Sequence, residues 1–370
     1  MRETMDAALL KKELASWAGF RVSGGYFPGC VIGVVWRNGD RIIVPAGKFT
    51  YEPNSQFVAA DSIYDLSSIT KSIPTACLLL KLIDDGLISM DEPVVSYVPE
   101  LAIHGRESLL VRHLLKFILN YKNPEDSLEG IKYRSTDELL NFLFSSENKQ
   151  SSDVSYFYTN AMAILMGLVI ERAAGTPLDV LAKKTFFHPL GMENTGFWPE
   201  KLPCEKIVPT EIDTWRGREI CAVVRSDEKM QASGQAKKPC VESAGLFSSS
   251  EDLLIFLEML LSGGILNGKR YFLDATVKKM HTNQLAEIGA CQGLGWKMNR
   301  PWMGAHHSSN AFGMTGFTGT AIFCDPDREI GVVILSNGIY SSHEKENNED
   351  LRDKFRAEIL DIILKNNHEL

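Results

Sequence analysis

Apolar residues form paired short runs near both ends of this 370-residue chain, with helical periodicity between them. Near the start, Val31-Ile-Gly-Val-Val-Trp36 and Arg41-Ile-Ile-Val44 flank Asn38-Gly39. That arrangement predicts a hairpin with a type I′ turn, which needs positive φ at both central residues. Near the end, Thr320-Ala-Ile-Phe-Cys324 and Ile330-Gly-Val-Val-Ile-Leu335 flank Asp325-Pro-Asp-Arg328 and predict a second hairpin. A closing helix is expected over Leu351 to Leu364, and an amphipathic surface helix over the first twenty residues. The pattern between predicts helices over 75–85, 108–119, 136–144, 160–174, 177–186 and 251–262, separated by Gly, Pro, Ser and Asn clusters. The polar stretches 145–153 and 225–242 are expected to be mobile loops.

These elements predict an α+β fold: an antiparallel sheet formed by both chain ends and flanked by terminal helices, with a mainly helical domain inserted. The expected sheet domain is discontinuous, 1–66 with 290–370, and the helical domain is 67–289, with the active site at their interface.

Composition narrows the function. With 44% apolar and 23% charged residues the chain is ordinary globular protein, and a net charge of −8 with no basic stripe excludes nucleic acid as an expected partner. The N-terminus lacks the apolar core of a signal peptide, and no stretch reaches membrane-spanning length. The seven cysteines are odd in number, widely spaced and free of C-x-x-C pairs, which suits reduced thiols and a cytoplasmic location. Oligomeric state is left open.

Chemistry enters at Ser68-Ile-Thr-Lys71, just before the apolar run Ala76-Cys-Leu-Leu-Leu-Lys-Leu-Ile83. A serine and a lysine three positions apart share a helical face, and a desolvated lysine can take the hydroxyl proton. Ser146-Glu-Asn-Lys149, Ser226-Asp-Glu-Lys229 and Ser342-His-Glu-Lys345 match the same spacing but lie in charged, polar stretches. Only Ser68 opens a helix that must be buried. Its position is also expected to aim unpaired N–H groups and the positive end of the helix dipole at an oxyanion, and Pro74 predicts an irregular first turn.

Tyr158-Thr159-Asn160, before the apolar run Ala161–Ile170, supplies a phenol that a neighbouring lysine can activate and an amide that can orient a substrate. Tyr121-Lys-Asn123 matches the triplet too, so context decides. In Gly313-Met314-Thr315-Gly316-Phe317-Thr318-Gly319-Thr320 the glycines allow close backbone approach to a ligand at a strand.

In this order the three stretches resemble the serine β-lactamase and penicillin-binding-protein superfamily, specifically its class C-like branch of esterases, D-amino-acid peptidases and acyltransferases. Further agreement lies in Gly86–Glu100, Val111-Arg-His-Leu-Leu115, His188-Pro-Leu-Gly-Met192, Ala244-Gly-Leu-Phe-Ser248 with Asp252, and Gly293-Leu-Gly-Trp296, so the resemblance covers roughly residues 25–340. It implies Ser68 as nucleophile, Lys71 and Tyr158 as the proton-transfer pair and Asn160 as a polar positioner. The substrate-binding strand is Met314, Thr315, Gly316 and Phe317, with the N–H groups of Ser68 and Phe317 forming an oxyanion hole. No metal or organic cofactor is implied; the partner is a small-molecule acyl substrate.

Two departures stand out. The family usually has Lys or His where this chain has Met314, which argues for neutral acyl substrates and an esterase-type activity, although Arg300, His306 or His307 could restore a cation. Lys116-Phe-Ile-Leu-Asn120 replaces a Thr-His-Thr-Ser-Gly turn and implies a reshaped loop. The alternatives are a true β-lactamase or D,D-peptidase, and an inactive binding or scaffolding protein on the same fold. Retention of Ser68, Lys71, Tyr158 and Asn160 weighs against the last. His113, Cys77, Trp296 and Trp302 read as structural residues.

Overall fold

Strand β1, Gly29–Trp36, is apolar along both faces, as expected of a strand covered on both sides. Its neighbour β2, Arg41–Gly47, alternates exposed and buried positions and carries Pro45, which an edge strand tolerates. The computed structural model describes residues 2–102, 106–118, 140–141, 143–144, 156–197, 202–213, 218–221, 243–340 and 349–366. The stretches 145–153 and 225–242, and most of 136–144, lie outside the described residues.

The late part of the chain supplies β3 (Gln292–Gly293), β4 (Trp296–Met298), β5 (Phe312–Thr315), β6 (Ala321–Asp325) and β7 (Ile330–Ser336). Together the seven strands make one antiparallel sheet in the order β2-β1-β7-β6-β5-β4-β3. Both chain ends thus meet in its middle, where β1 pairs with β7 from Cys30↔Ser336 to Trp36↔Ile330.

Two apolar layers cover this sheet. On one face Ile32, Val34, Val332 and Phe323 pack with Leu10, Leu14 and Ala18 of the N-terminal helix Arg2–Ser23 and with Phe355, Ile359 and Ile363 of the C-terminal helix Glu349–Asn366. On the other, Val31, Val35, Phe312 and Met314 join a larger core with helices Cys77–Asp84, Asn160–Ala174 and Ser250–Leu261. Each fully buried Leu, Val or Phe contributes about 1.5–3 kcal/mol, so this second layer is the principal clamp on the helices that carry the candidate site.

The predicted helix over 108–119 is regular only at Val111–Leu115, and that over 177–186 is regular at Leu178–Ala182 before a wider turn. The turn at Asn38-Gly39 is not type I′. Gly39 has φ +90° whereas Asn38 does not enter the positive region, and Gly39 N–H donates to Trp36 O across a longer connection. The type I′ dihedrals occur instead at Asn267 (φ 50°) and Gly268 (φ 76°), where only two residues join the short strands Ile265–Leu266 and Lys269–Arg270.

The residues read as structural are so placed. Cys77 and Trp296 are fully buried, and Trp302 nearly so. His113 Nδ1 accepts from Leu110 N–H at 3.1 Å, with its pKa lowered by burial and then by Arg112 and Lys116. Among the described residues Cys30, Cys77, Cys204, Cys221, Cys291 and Cys324 are free thiols. No single helix among them is long and apolar enough to cross a membrane.

Candidate active site

A short strand pair, Ile63–Asp65 with Phe247–Ser249, delivers the chain to Ser68. Leu66 N–H donates to Leu246 O at 2.9 Å, and Ser67 then takes φ +49°, steadied by its N–H to Asp65 Oδ1 at 2.8 Å. Thr70 locks the turn from inside, donating its hydroxyl to Ser67 O and accepting from Leu246 N–H. Ser67–Lys71 is a 3₁₀ turn, in which residues three apart eclipse, so the Lys71 side chain stands over Ser68.

The helix following Ser68 is less regular than expected. Ile73 leaves helical geometry at φ −112°, ψ 115°, the extended region favoured before proline, and the regular α-helix begins at Cys77. The helix dipole therefore does not run unbroken to Ser68.

Lys71 Nζ lies 2.9 Å from Ser68 Oγ and donates to the Ser243 carbonyl at 3.0 Å, while the residue is 1% exposed. Ser68 itself is half-buried. The Lys71 amine is also 5.2 Å from the centre of the Tyr158 ring. Tyr158 precedes helix Asn160–Ala174, whose cap Thr159 is extended, and Asn160 is its half-buried first residue. Phe157 N–H donates to Phe117 O, and the Phe117 ring meets the Tyr158 ring edge-on at 5.8 Å. The reshaped loop thus supports the phenol through Phe117, which is fully buried at φ +54°; residues 119 and 120 lie outside the described residues.

Strand β5 runs toward the same place. Thr318 donates to Asp65 O at 2.8 Å and Thr320 to Leu66 O at 3.3 Å, tying the 316–320 turn to the residues just before Ser68. A Cβ on Gly316 would lie 2.4 Å from Leu66 O and 2.1 Å from Thr320 Oγ1, so only glycine permits this approach. Phe317 follows at the surface, 46% exposed.

Met314 contributes no exposed side-chain atom: it is fully buried in the core with Phe312 and Ile322. A cation that the sequence reading did not single out stands on the next strand. Lys297 on β4 places Nζ 3.4 Å from Thr315 Oγ1 and 4.5 Å from the centre of the Tyr158 ring. Burial, then the charges of Arg300 and Arg356, pull its pKa down to about 8. Arg300 sits 4.8 Å over the Tyr156 ring at the edge of this cluster. His306 and His307 are elsewhere: His307 Nδ1 contacts Ser308 O, and Ser308 bonds Asp325 at the end of β6 remote from Thr315.

Lys297, Phe117 and the Ser243 carbonyl were not singled out from sequence. The signal for Lys297 was a lone lysine between two core residues, Trp296 and Met298; its role appears only through pairing of Lys297 with Gly313 across β4 and β5. Among the described residues no cluster of His, Cys, Asp or Glu could hold a metal ion.

Residues 22–355 match the family model described as Beta-lactamase. A candidate D-alanyl-D-alanine carboxypeptidase of Escherichia coli (strain K12) is 26% identical over 309 residues, 76% of this chain and 70% of that protein. Among solved structures, a LovD6 mutant of simvastatin synthase from Aspergillus terreus superposes with TM-score 0.75 at 16% identity, covering 99% of this chain and 98% of that one. EstCE1, a hydrolase with promiscuous acyltransferase activity, gives TM-score 0.75 at 18% identity over 98% and 100%. Likenesses at such identity establish the fold.

Proposed function

Because the chain belongs to the Beta-lactamase family, whose fold is that of serine hydrolases, we propose that it transfers acyl groups through a covalent intermediate on Ser68, with an esterase-type activity. One observation carries this reading: the buried Lys71 amine 2.9 Å from Ser68 Oγ, with the Tyr158 ring beside it.

Ser68 Oγ attacks the substrate carbonyl carbon while its proton passes to Lys71. The carbonyl oxygen becomes an oxyanion, held by the N–H groups of Ser68 and Phe317. Collapse of the tetrahedral adduct expels the alcohol or amine, which takes its proton from the Lys71–Tyr158 pair, leaving an acyl ester on Ser68. Water or an acceptor alcohol then enters, gives its proton to the same pair and attacks the acyl carbon; the ester bond to Ser68 breaks and the pair returns that proton to Ser68 Oγ. Asn160 at the start of its helix orients the substrate, and Thr315 and Phe317 line its path.

Intact-mass measurement after a fluorophosphonate tests the reading. The expected result is one adduct on the wild-type chain and none on Ser68→Ala, with p-nitrophenyl butyrate turnover lost in the same variant at unchanged Tm. Wild-type turnover by Ser68→Ala would overturn it.

A second reading, D,D-peptidase or β-lactamase, is favoured by a specific observation. Lys297 beside Thr315 puts a positive charge near this strand end, which a carboxylate-bearing substrate would need and which Met314 does not provide. The name of the Escherichia coli relative points the same way. Covalent acylation by penicillin and cephalosporin hydrolysis faster than that of short esters would rank this reading first.

A further inference from the structure

The carbonyl of Gly316 and the N–H of Phe317 belong to one peptide unit, and in a trans peptide they point in opposite directions within one plane. Whatever grips the carbonyl therefore aims the N–H. That carbonyl accepts from Gly319 N–H at 3.2 Å and from Arg356 Nη2 at 2.8 Å. Arg356 Nη2 also donates to Thr320 O at 3.2 Å, the same oxygen that accepts from Gly316 N–H at 2.8 Å. One guanidinium nitrogen thus joins both sides of the strand end from which Phe317 emerges.

Arg356 lies on the C-terminal helix, is only 3% exposed, and is anchored by Asp353 at 2.6 Å. A turn earlier on that helix, the Arg352 guanidinium lies 5.0 Å over the Phe317 ring. A buried cation behind a peptide does more than hold it. Charge-assisted donation to the carbonyl polarises the amide and makes its N–H a stronger donor, most effectively where the surroundings are dry. Gly319 N–H is neutral and cannot supply that part.

We propose that Arg356 is a positioning residue for the oxyanion hole: from the C-terminal helix it fixes and polarises the Gly316–Phe317 peptide, so the docking of that helix sets the rate of acyl transfer. This rests on the Ser68 and Phe317 N–H reading above. Loss of one oxyanion donor typically costs 10²–10³ in kcat, and misaligning a donor that remains present should cost about tenfold or more.

The test compares wild type, Arg356→Met, Arg356→Lys and Ser68→Ala on p-nitrophenyl butyrate, with the Ki of phenylboronic acid, whose tetrahedral serine adduct places an oxygen in the hole. Folding of each variant is checked by Tm and near-UV circular dichroism. Arg356→Met is expected to lose about tenfold in kcat with KM within twofold, and to weaken boronate binding in parallel. Arg356→Lys, which keeps the charge but cannot reach both carbonyls as well, should fall between. If Arg356→Met does not fold, the lysine variant decides. Wild-type kcat and boronate affinity in a folded Arg356 variant, or a kcat loss with unchanged boronate affinity, would overturn the proposal. Full turnover by Ser68→Ala would instead remove the underlying reading, so the two failures are distinguishable.

Discussion

Replacing Lys297 with methionine removes a cation from the Tyr158 ring while largely preserving the volume of the side chain. Its Nζ is 4.5 Å from the ring centre, and a charge about 5 Å from a developing phenolate is worth about 3 kcal/mol at an effective dielectric constant near 20. Lys297 is half-buried, so solvent screening halves this to about 1.5 kcal/mol, or roughly tenfold in rate. The sign with pH follows from the lowered pKa. At about 8, Lys297 is mostly charged at pH 7 and mostly neutral by pH 9, so its help is present below that value and fades above it. The assay is kcat/KM for p-nitrophenyl butyrate between pH 6 and 10, corrected for spontaneous hydrolysis. The ratio of wild type to Lys297→Met should be about ten at pH 7 and fall toward one with an apparent pKa near 8. A ratio that stays constant with pH would show that Lys297 only packs, and a ratio within twofold at pH 7 would refute the electrostatic role outright.

Other outcomes follow from the same geometry. Lys71→Ala should lower kcat/KM by roughly a thousandfold, since it removes the group within reach of the Ser68 proton; retention within tenfold would point to another base. Gly316→Ala should lose about 2–4 kcal/mol of stability along with turnover, because its Cβ would meet Leu66 O and Thr320 Oγ1; an unchanged Tm would refute the steric requirement for glycine there. Asp252 accepts from Asn194 N–H and Thr195 Oγ1, yet burial pushes its pKa up to about 6. Raised in the folded state, it contributes stability that is complete near pH 4 and lost as pH rises through about 6. The wild-type minus Asp252→Asn difference should thus decline by about 2–3 kcal/mol over that window, read from urea unfolding at four pH values; a flat difference would contradict it.

Much of this fold is legible in local patterns because the deciding forces are local. The hairpins at 31–44 and 320–335 are marked by β-branched runs about turn residues, and helix Asn160–Ala174 by its apolar run and the terminating Gly175 in the left-handed region. The closeness of Ser68 and Lys71 is legible for the same reason, since three-residue spacing and burial belong to one segment; the Tyr158 ring comes beside Lys71 only through the fold. The turn at Asn38-Gly39 is not recoverable from its dipeptide. The same two residues at 267–268 adopt the expected dihedrals, and what differs is the length of the connection that the flanking strands impose.

Charge placement at the site is a different kind of information. Met314 and Lys297 are seventeen positions apart in sequence, but they sit on adjacent strands, whose separation of about 4.8 Å is shorter than a lysine side chain. A cation lost from one strand can therefore be restored from its neighbour without disturbing either backbone, and no motif read along a single segment registers the exchange. Arg356 makes the same point at longer range: it reaches the Gly316 carbonyl from forty residues away because the C-terminal helix packs back over the sheet. Substrate preference in this fold should accordingly follow the charges that converge on Thr315 and Tyr158 in space. Met314 has therefore to be weighed together with a lysine whose amine stands 3.4 Å from the neighbouring threonine hydroxyl.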